Sequence, residues 1–427
     1  MRNSLFILSL VIIVNLNGLT IQDAYKRVQK ISPDLKELEY KYDASVYAIE
    51  KEKTKQNINI TWDASYSKYK DSTVEPYSLI VDSGTYNIIL NKSLYDKSIN
   101  LDIDKKEIEQ EIQKINLLSK RQELLVELFE KYLEIDRLEL QKKLNEKNLK
   151  VAEERFQKKD KLLKFGLSTK IEFYEASVSL HEAQNNFNNT QQSYFIALLN
   201  LEDFLDIKIK SIEKINKKNL IYEIINKYEN YENFELNDDS FETLKVRLNQ
   251  KLEFIKLKHV KNLYMPKVDF STTYNYVDSS YKYDDEQKIL FNFKVSGLFY
   301  KGGYYKTAKN EMTLLSKSSQ ENIILSIREN DFDFREKLIN LKSSILEYQL
   351  MLKTLESSKL HYEYMLKAHE KGLKDLSELL DSEAKVSEVE NNIIESSKKL
   401  IIYYIKLQFL RKKLDEEFLT NFSLNSI

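Results

Sequence analysis

Hydrophobic positions along this chain change period in a fixed order. From Thr20 to Lys55, Ala24, Val28, Ile31, Leu35, Leu38, Tyr42 and Ile49 mark one helical face, with a kink or break expected at Pro33. The period then falls to two. Ile58, Ile60, Trp62, Ala64 and Tyr66 alternate with Asn57, Asn59, Thr61, Asp63, Ser65 and Ser67; after a loop holding Pro76, Asp82 and Gly84, Tyr86, Ile88, Leu90 and Leu94 alternate with Asn87, Asn91 and Ser93. This predicts a hairpin over 57–95, each strand apolar on one face and polar on the other. From Asp96 to about Leu163 a helical pattern runs without Gly or Pro, a rod of roughly 100 Å. Its stripe is Leu125, Leu128, Tyr132, Ile135 and Leu138, resuming at Leu149, Ala152 and Phe156. A rod of this length needs another helix against that stripe. Gly166 stops it, and a return helix is expected from Thr169 to about Leu205.

The same order then recurs. A helix over 241–264 precedes a second hairpin over 267–300, where Val268, Phe270, Thr272, Tyr274 and Tyr276, then Phe291, Phe293, Val295 and Phe299, hold the alternate positions. A charged loop, Asp284-Asp285-Glu286, lies between these strands. A second rod ends before Gly372, and a return helix runs to about Phe418. The tips match in detail. Gly166-Leu167-Ser168-Thr169 and Gly372-Leu373-Lys374-Asp375 are each followed by Glu at plus six (Glu172, Glu378) and a small residue at plus ten. Leu180, Ala183, Phe187, Thr190, Tyr194, Ala197, Leu201 and Phe204 are answered, each 206 positions on (372 − 166), by Val386, Val389, Ile393, Ser396, Leu400, Tyr403, Leu407 and Leu410. A motif followed by eight heptad positions in one register implies internal duplication. The expected organisation is a leader over 1–18, a first repeat over 19–207, an irregular insert with short helices over 208–240 joining the halves on the outside of the rods, and a second repeat over 241–427.

Composition agrees with long solvated helices: seven Gly and three Pro against 31% charged residues. With 66 basic and 67 acidic residues the net charge is −1, which gives no reason to expect nucleic acid as a partner. The absence of cysteine excludes disulfides, thiol catalysis, cysteine metal sites and lipidation at an amino-terminal cysteine. Met1-Arg2-Asn3 followed by the apolar run Leu5 to Val14 reads as a secretory signal peptide with cleavage near Gly18; the competing reading is a buried amino-terminal strand.

An exported chain with no helical span leaves the periplasm, the cell exterior or a β-barrel membrane. Each strand approaches the 9–11 residues that cross a bilayer when tilted. Four strands cannot close a membrane barrel, and open edges are not tolerated in lipid. Three chains together would supply twelve strands and twelve rods, with an apolar outer face and an Asn, Ser, Thr and Asp lining. The alternative is a small soluble β-domain capping a coiled coil. At the tips, Glu378 and Asp381 share a helix face, Lys374 lies one turn before Glu378, and Glu172 holds the equivalent place in the first copy. In a ring of chains these would form an acidic constriction; by themselves they are also compatible with a solvated helix face. His181, His259, His361 and His369 show no metal-ligand spacing, and nothing supports catalysis or a cofactor.

The ordered set of features resembles the TolC-like outer-membrane efflux family over nearly the whole chain. The residues that carry it are the signal peptide, Ile31-Ser32-Pro33-Asp34-Leu35, the hairpin ending Leu94-Tyr95-Asp96, the tips at Gly166 and Gly372, and Leu298-Phe299-Tyr300-Lys301-Gly302-Gly303. The resemblance implies a mainly α fold of long antiparallel rods forming a trimeric α-barrel, with four strands per chain in a shared twelve-stranded β-barrel. It implies a homotrimer in outer-membrane lipid, extending into the periplasm. There it would be a passive exit duct for substrates driven by an inner-membrane pump through a periplasmic adaptor (membrane fusion) protein, in efflux of small molecules or type I protein secretion. It places Lys374 at the basic position of the periplasmic entrance and Glu378, Asp381 and Glu172 at acidic ones. His369 stands where the family has an aromatic bonding residue. The turns at Gly166, Leu167, Ser168, Gly372 and Leu373 fall where the adaptor is met. The rival reading is an exported or cytoplasmic coiled-coil scaffold.

Overall fold

The computed structural model describes residues 18–71, 79–213, 217–228, 240–280, 286–415 and 417–420. The expected signal peptide up to Asn17, the loop around Pro76 and the loop residues Asp284 and Asp285 lie outside them.

The helices and strands follow the hydrophobic period. Helix α1 (Ile21–Ile31) is capped by Thr20, whose side chain accepts the Asp23 N–H at 3.0 Å. Pro33 produces a break rather than a kink. Ser32 ends α1 with its N–H on the Val28 carbonyl at 2.9 Å, while its hydroxyl accepts the Leu35 N–H at 3.3 Å. That starts α2 (Pro33–Lys53) with proline in the first helical position, where the missing N–H costs nothing. Strands β1 (Asn59–Asp71) and β2 (Leu79–Tyr95) follow, then α3 (Lys97–Lys164), unbroken over 68 residues, and α4 (Lys170–Leu205). Helix α5 (Lys217–Tyr228) precedes the second series: α6 (Phe241–Lys261), β3 (Lys267–Ser279), β4 (Glu286–Ser296), α7 (Tyr304–Glu370) and α8 (Leu376–Leu410). The repeat is visible in the lengths: α2 and α6 each have 21 residues, β1 and β3 each 13.

The described residues form two compact units. One is built from the chain up to Lys36, Leu118–Phe241 and the chain from Glu329; the other from Glu37–Leu117 and Glu242–Arg328.

In the first unit the expected stripe of α3 is the core. Leu125, Leu128, Tyr132 and Ile135 are buried, together with Phe129 and Leu133, which widen the stripe. The widening follows from the number of neighbours: Tyr25 of α1 reaches the Arg121 carbonyl, Lys217 of α5 reaches Asp136, and Lys398 and Lys406 of α8 reach Glu134 and Glu130, so α3 is covered on more than one side. Leu19 and Ile212 form a parallel bridge, with the Leu19 N–H on the Ser211 carbonyl and the Glu213 N–H on the Leu19 carbonyl, both at 3.0 Å. The Tyr132 hydroxyl lies 2.9 Å from the Leu19 carbonyl and 2.6 Å from that of Glu213, tying this bridge to the core. The insert, expected to be irregular with short helices, contains α5. Helix α5 turns Leu220, Ile221, Ile224 and Tyr228 inward, Gln408 of α8 donates to the Tyr228 hydroxyl at 2.9 Å, and Lys217 forms a buried ion pair with Asp136 of α3. Four inward residues in a run rich in Lys and Asn give only a faint periodic signal, which suggests short helices in the insert without fixing where α5 lies.

The second unit holds one antiparallel sheet in the order β1-β2-β3-β4. Registered pairs share a face. Ile60↔Leu90, Trp62↔Ile88 and Ala64↔Tyr86 continue through Ile88↔Tyr274 and Tyr86↔Tyr276 to Tyr274↔Ile289, Thr272↔Phe291 and Phe270↔Phe293. The apolar positions of all four strands thus form one surface, and it is bare: Trp62 is 79% exposed, Phe291 71% and Phe293 70%. Asp82 and Gly84, expected in the loop, belong instead to β2, opposite Lys68 and Tyr66; Asp82 also accepts from the Tyr66 hydroxyl at 2.9 Å. Two further ties lie outside the strands. The His259 ring pairs with Asp102 at 3.1 Å, and buried Thr243 and Ser326 share a hydrogen bond at 3.1 Å.

Candidate functional site

The tips of the first unit are two copies of one design. At the end of α3 the Gly166 N–H reaches the Leu163 carbonyl at 3.0 Å and the Leu167 N–H reaches Leu162 at 2.8 Å; at the end of α7 the Gly372 N–H reaches His369 at 2.9 Å and Leu373 reaches Ala368 at 2.9 Å. These are paired Schellman closures, and their left-handed residue is glycine in both, φ 72° and 70°. No atom lies within 4 Å of a Cβ built at either glycine, so backbone conformation and not space requires them. The far ends of the return helices repeat too. Asp206 and Lys412, 206 apart (412 − 206), are left-handed at φ 47° and 54° and close α4 and α8 through Asp203 and Glu202, and through Phe409 and Gln408.

The first tip is closed tightly by Glu172. The Thr169 side chain accepts the Glu172 N–H at 3.2 Å, and the Glu172 carboxylate accepts the Thr169 N–H at 3.2 Å, which is a complete capping box. The same carboxylate accepts from the Ser168 hydroxyl and, at 3.0 Å, from the Lys159 ammonium of α3. The Ser168 bond, opposed in part by desolvation and reinforced by Lys159 and the Thr169 N–H, holds Glu172 down at about 2. Within the chain Glu172 therefore meets Lys159, which lies one helix away in the same hairpin, and not Lys374 or His369 of the second tip. A carboxylate depressed in the folded state stabilises above its ordinary value, here 4.5, and loses that contribution as pH falls through about 2. Glu172→Gln should lower thermal stability at neutral pH, and the deficit should vanish near pH 2; a deficit that persisted there would remove the capping carboxylate from the account.

The second tip is looser. Asp375 caps α8, accepting the Glu378 N–H at 2.9 Å, and Lys374 donates to Glu378 at 2.5 Å. The Glu378 hydrogen bond and charge raise the Lys374 ammonium above its usual value. The His369 Nδ1–H donates to the Lys374 carbonyl at 3.0 Å, so histidine braces the turn itself. Asp381, one turn on, is exposed and lines an open cleft of about 780 Å³ between the two hairpins. Opposite it on α4, Ile171, Tyr174 and Val178 stand exposed at heptad spacing beside Glu175 and Glu182. Glu378 is turned to Lys374, while Asp381 faces the cleft.

Two features of this site carry no local signal in the sequence. A small core of Ala176, Leu376 and Leu379, with Phe156, Tyr362 and Met365 against it, joins the hairpins above the tips. Beside it Arg155 of α3 donates to Glu383 of α8 at 2.5 Å, both side chains mostly buried. These partners are 228 positions apart, and each looks like one charge among many until the helices are packed.

Twin helical hairpins and a four-stranded sheet with a bare apolar face are also the elements of solved outer-membrane channels. Residues 24–205 match the family model described as outer membrane efflux protein. Among solved structures the chain is similar to CusC (TM-score 0.79, 10% identity, 92% of this chain and 91% of that one), a protein whose crystal structures concern folding and transmembrane channel formation. It is also similar to the CmeC outer membrane channel of Campylobacter jejuni (0.75, 10%, 95% and 90%) and to the outer membrane protein VceC of Vibrio cholerae (0.75, 10%, 92% and 95%). No curated protein matches by sequence.

Proposed function

We propose that this protein is the outer-membrane exit duct of a pump: three chains share a twelve-stranded barrel in the outer membrane, and their helices form a tunnel through the periplasm. The observation that carries this reading is the sheet. Its apolar face is bare and the other face is polar, an arrangement that suits lipid outside and water inside a closed barrel. The duct is passive and does no chemistry; an inner-membrane pump supplies the energy, and a periplasmic adaptor meets the turns at Gly166, Leu167, Ser168, Gly372 and Leu373. The cleft beside Asp381, with its exposed heptad stripe on α4, suits an adaptor helix. Glu378 and Asp381, repeated by symmetry, make the entrance acidic, with Lys374, Glu172 and His369 fixing the turns that present them. Arg155 and Glu383 hold the two hairpins together there.

The test is the mass of the particle extracted from membranes in mild detergent, followed by single-channel recording. Three chains recovered with the outer membrane, and a cation preference that drops when Glu378 and Asp381 are both alanine, are the expected results. A particle needing no detergent would overturn the duct, and an unchanged preference would overturn the acidic entrance.

A further inference from the structure

The polar face of the sheet carries a transverse row that stops at both edges. Asp63, Asn87, Asn275 and Lys288 are in direct register across the four strands. Asn275 donates to Asn87 at 2.6 Å, and Asn87 donates to one oxygen of Asp63 at 2.8 Å. Asp63 thus stands on the open edge of β1 with a carboxylate oxygen unused by the row. On the opposite open edge, the polar face of β4 carries Lys288, paired with Glu286 of the same strand, and Lys294, which lies opposite Asp269 of β3. Asp63 on one edge and Lys294 on the other thus present opposite charges on the same face.

Face continuity and strand tilt limit how two such edges can join. Followed round one copy, the row that starts at Asp63 returns on β1 of the next copy shifted along the strand. Pairing that keeps apolar and polar faces continuous allows only even shifts, and a strand tilt of about 35–45° allows only about four or six residues. A shift of six sets Asp63 of one copy opposite Lys294 of the next; a shift of four sets it opposite Asn292.

We infer that β1 and β4 of successive copies join with Asp63 opposite Lys294, so that an Asp269–Lys294–Asp63–Asn87–Asn275 polar row crosses each seam of the barrel. The inference rests on the proposed shared barrel and specifies its register. The same register sets Trp62 opposite Val295 and Ala64 opposite Phe293 on the lipid face, a small residue against a large one. Lys294 would then lie between two carboxylates, Asp269 of its own chain and Asp63 of its neighbour. Opposite charges directly across a strand pair favour that register, and no such charge pair forms at the shift of four; at the far end of the seam Asp71 falls opposite Glu286, whose charge Lys288 offsets within its own strand.

The chain has no cysteine, so introduced pairs report without background. Full-length Asp63→Cys/Lys294→Cys, Asp63→Cys/Asn292→Cys and Trp62→Cys/Val295→Cys proteins would be oxidised in outer membranes and separated by mass under denaturing conditions. Covalent trimers from the first and third pairs, with little from the second, are expected; the third pair leaves the polar row intact and guards against misfolding of the first. Cross-linking through Asn292 instead would overturn the register while leaving the shared barrel standing. No cross-link from any pair in a three-chain particle would overturn this seam, and a one-chain particle would overturn the shared barrel and the seam with it.

Discussion

Alanine in place of Lys217 should destabilise the protein by about 3–5 kcal/mol, because it leaves the Asp136 carboxylate buried without its cation. Both side chains are about nine-tenths buried, so water cannot replace the lost partner. The pair joins the first turn of α5 to the middle of α3, beside Tyr132, whose phenol is pushed up by burial and then by the Glu213 and Asp136 charges. Losing the ammonium should therefore loosen α5, and with it the Tyr228–Gln408 contact to α8. Replacing both partners together, Asp136→Leu with Lys217→Met, should be near neutral or stabilising, since no charge is then left in the core. Denaturant unfolding of the detergent-solubilised protein measures this. If the single alanine and the double apolar variant lost stability equally, the contribution would come from packing and not from the ion pair.

In the proposed duct, breaking the Arg155–Glu383 contact should open the entrance. A hydrogen bond to a charged group contributes about 1.5–3 kcal/mol when mostly shielded from water, and about 1.4 kcal/mol changes an equilibrium tenfold. Arg155→Ala or Glu383→Ala should accordingly raise leak of large antibiotics, or the open fraction in single-channel records, by about tenfold or more. The reversed pair, Arg155→Glu with Glu383→Arg, should recover much of the closure, which a variant damaged only in packing would not do. Unchanged leak in both alanine variants, in a protein that still forms three-chain particles, would remove this contact from the closing mechanism.

Much of this architecture is legible along the chain because it is periodic. Long helices without Gly or Pro, strands with one apolar face and glycine tips at matching positions all state themselves locally, and the duplication gives each reading a second trial. The tips are legible as turns because a left-handed residue after a helix is most often glycine. The matching left-handed residues at the other ends of α4 and α8 are Asp206 and Lys412, side chains that do not announce that conformation. The position of α5 within its insert is obscured by its short apolar face, and Asp82 and Gly84 read as a loop because turn-forming residues inside a strand look like its end. The register shows why they are tolerated: Gly84 lies opposite the large Tyr66, and Asp82 answers Lys68.

The candidate site divides in the same way. Which residues crowd the tips is evident from their spacing to the glycines, but which partner each takes is not. Glu172 was free to meet any cation near the tip, and packing of α3 against α4 gave it Lys159. Arg155 and Glu383 were unremarkable until α3 and α8 came together.

The amino-acid sequence by itself determined where helices, strands and turns fall and that the chain is two copies of one plan, because hydrophobic period and backbone restriction act over a few residues at a time. Only the tertiary structure decided the partners of the charges, the single apolar face made by four strands, and the burial of Lys217 with Asp136. Those depend on residues up to hundreds of positions apart, and in a chain nearly one-third charged, every lysine has many possible carboxylates until packing removes all but one.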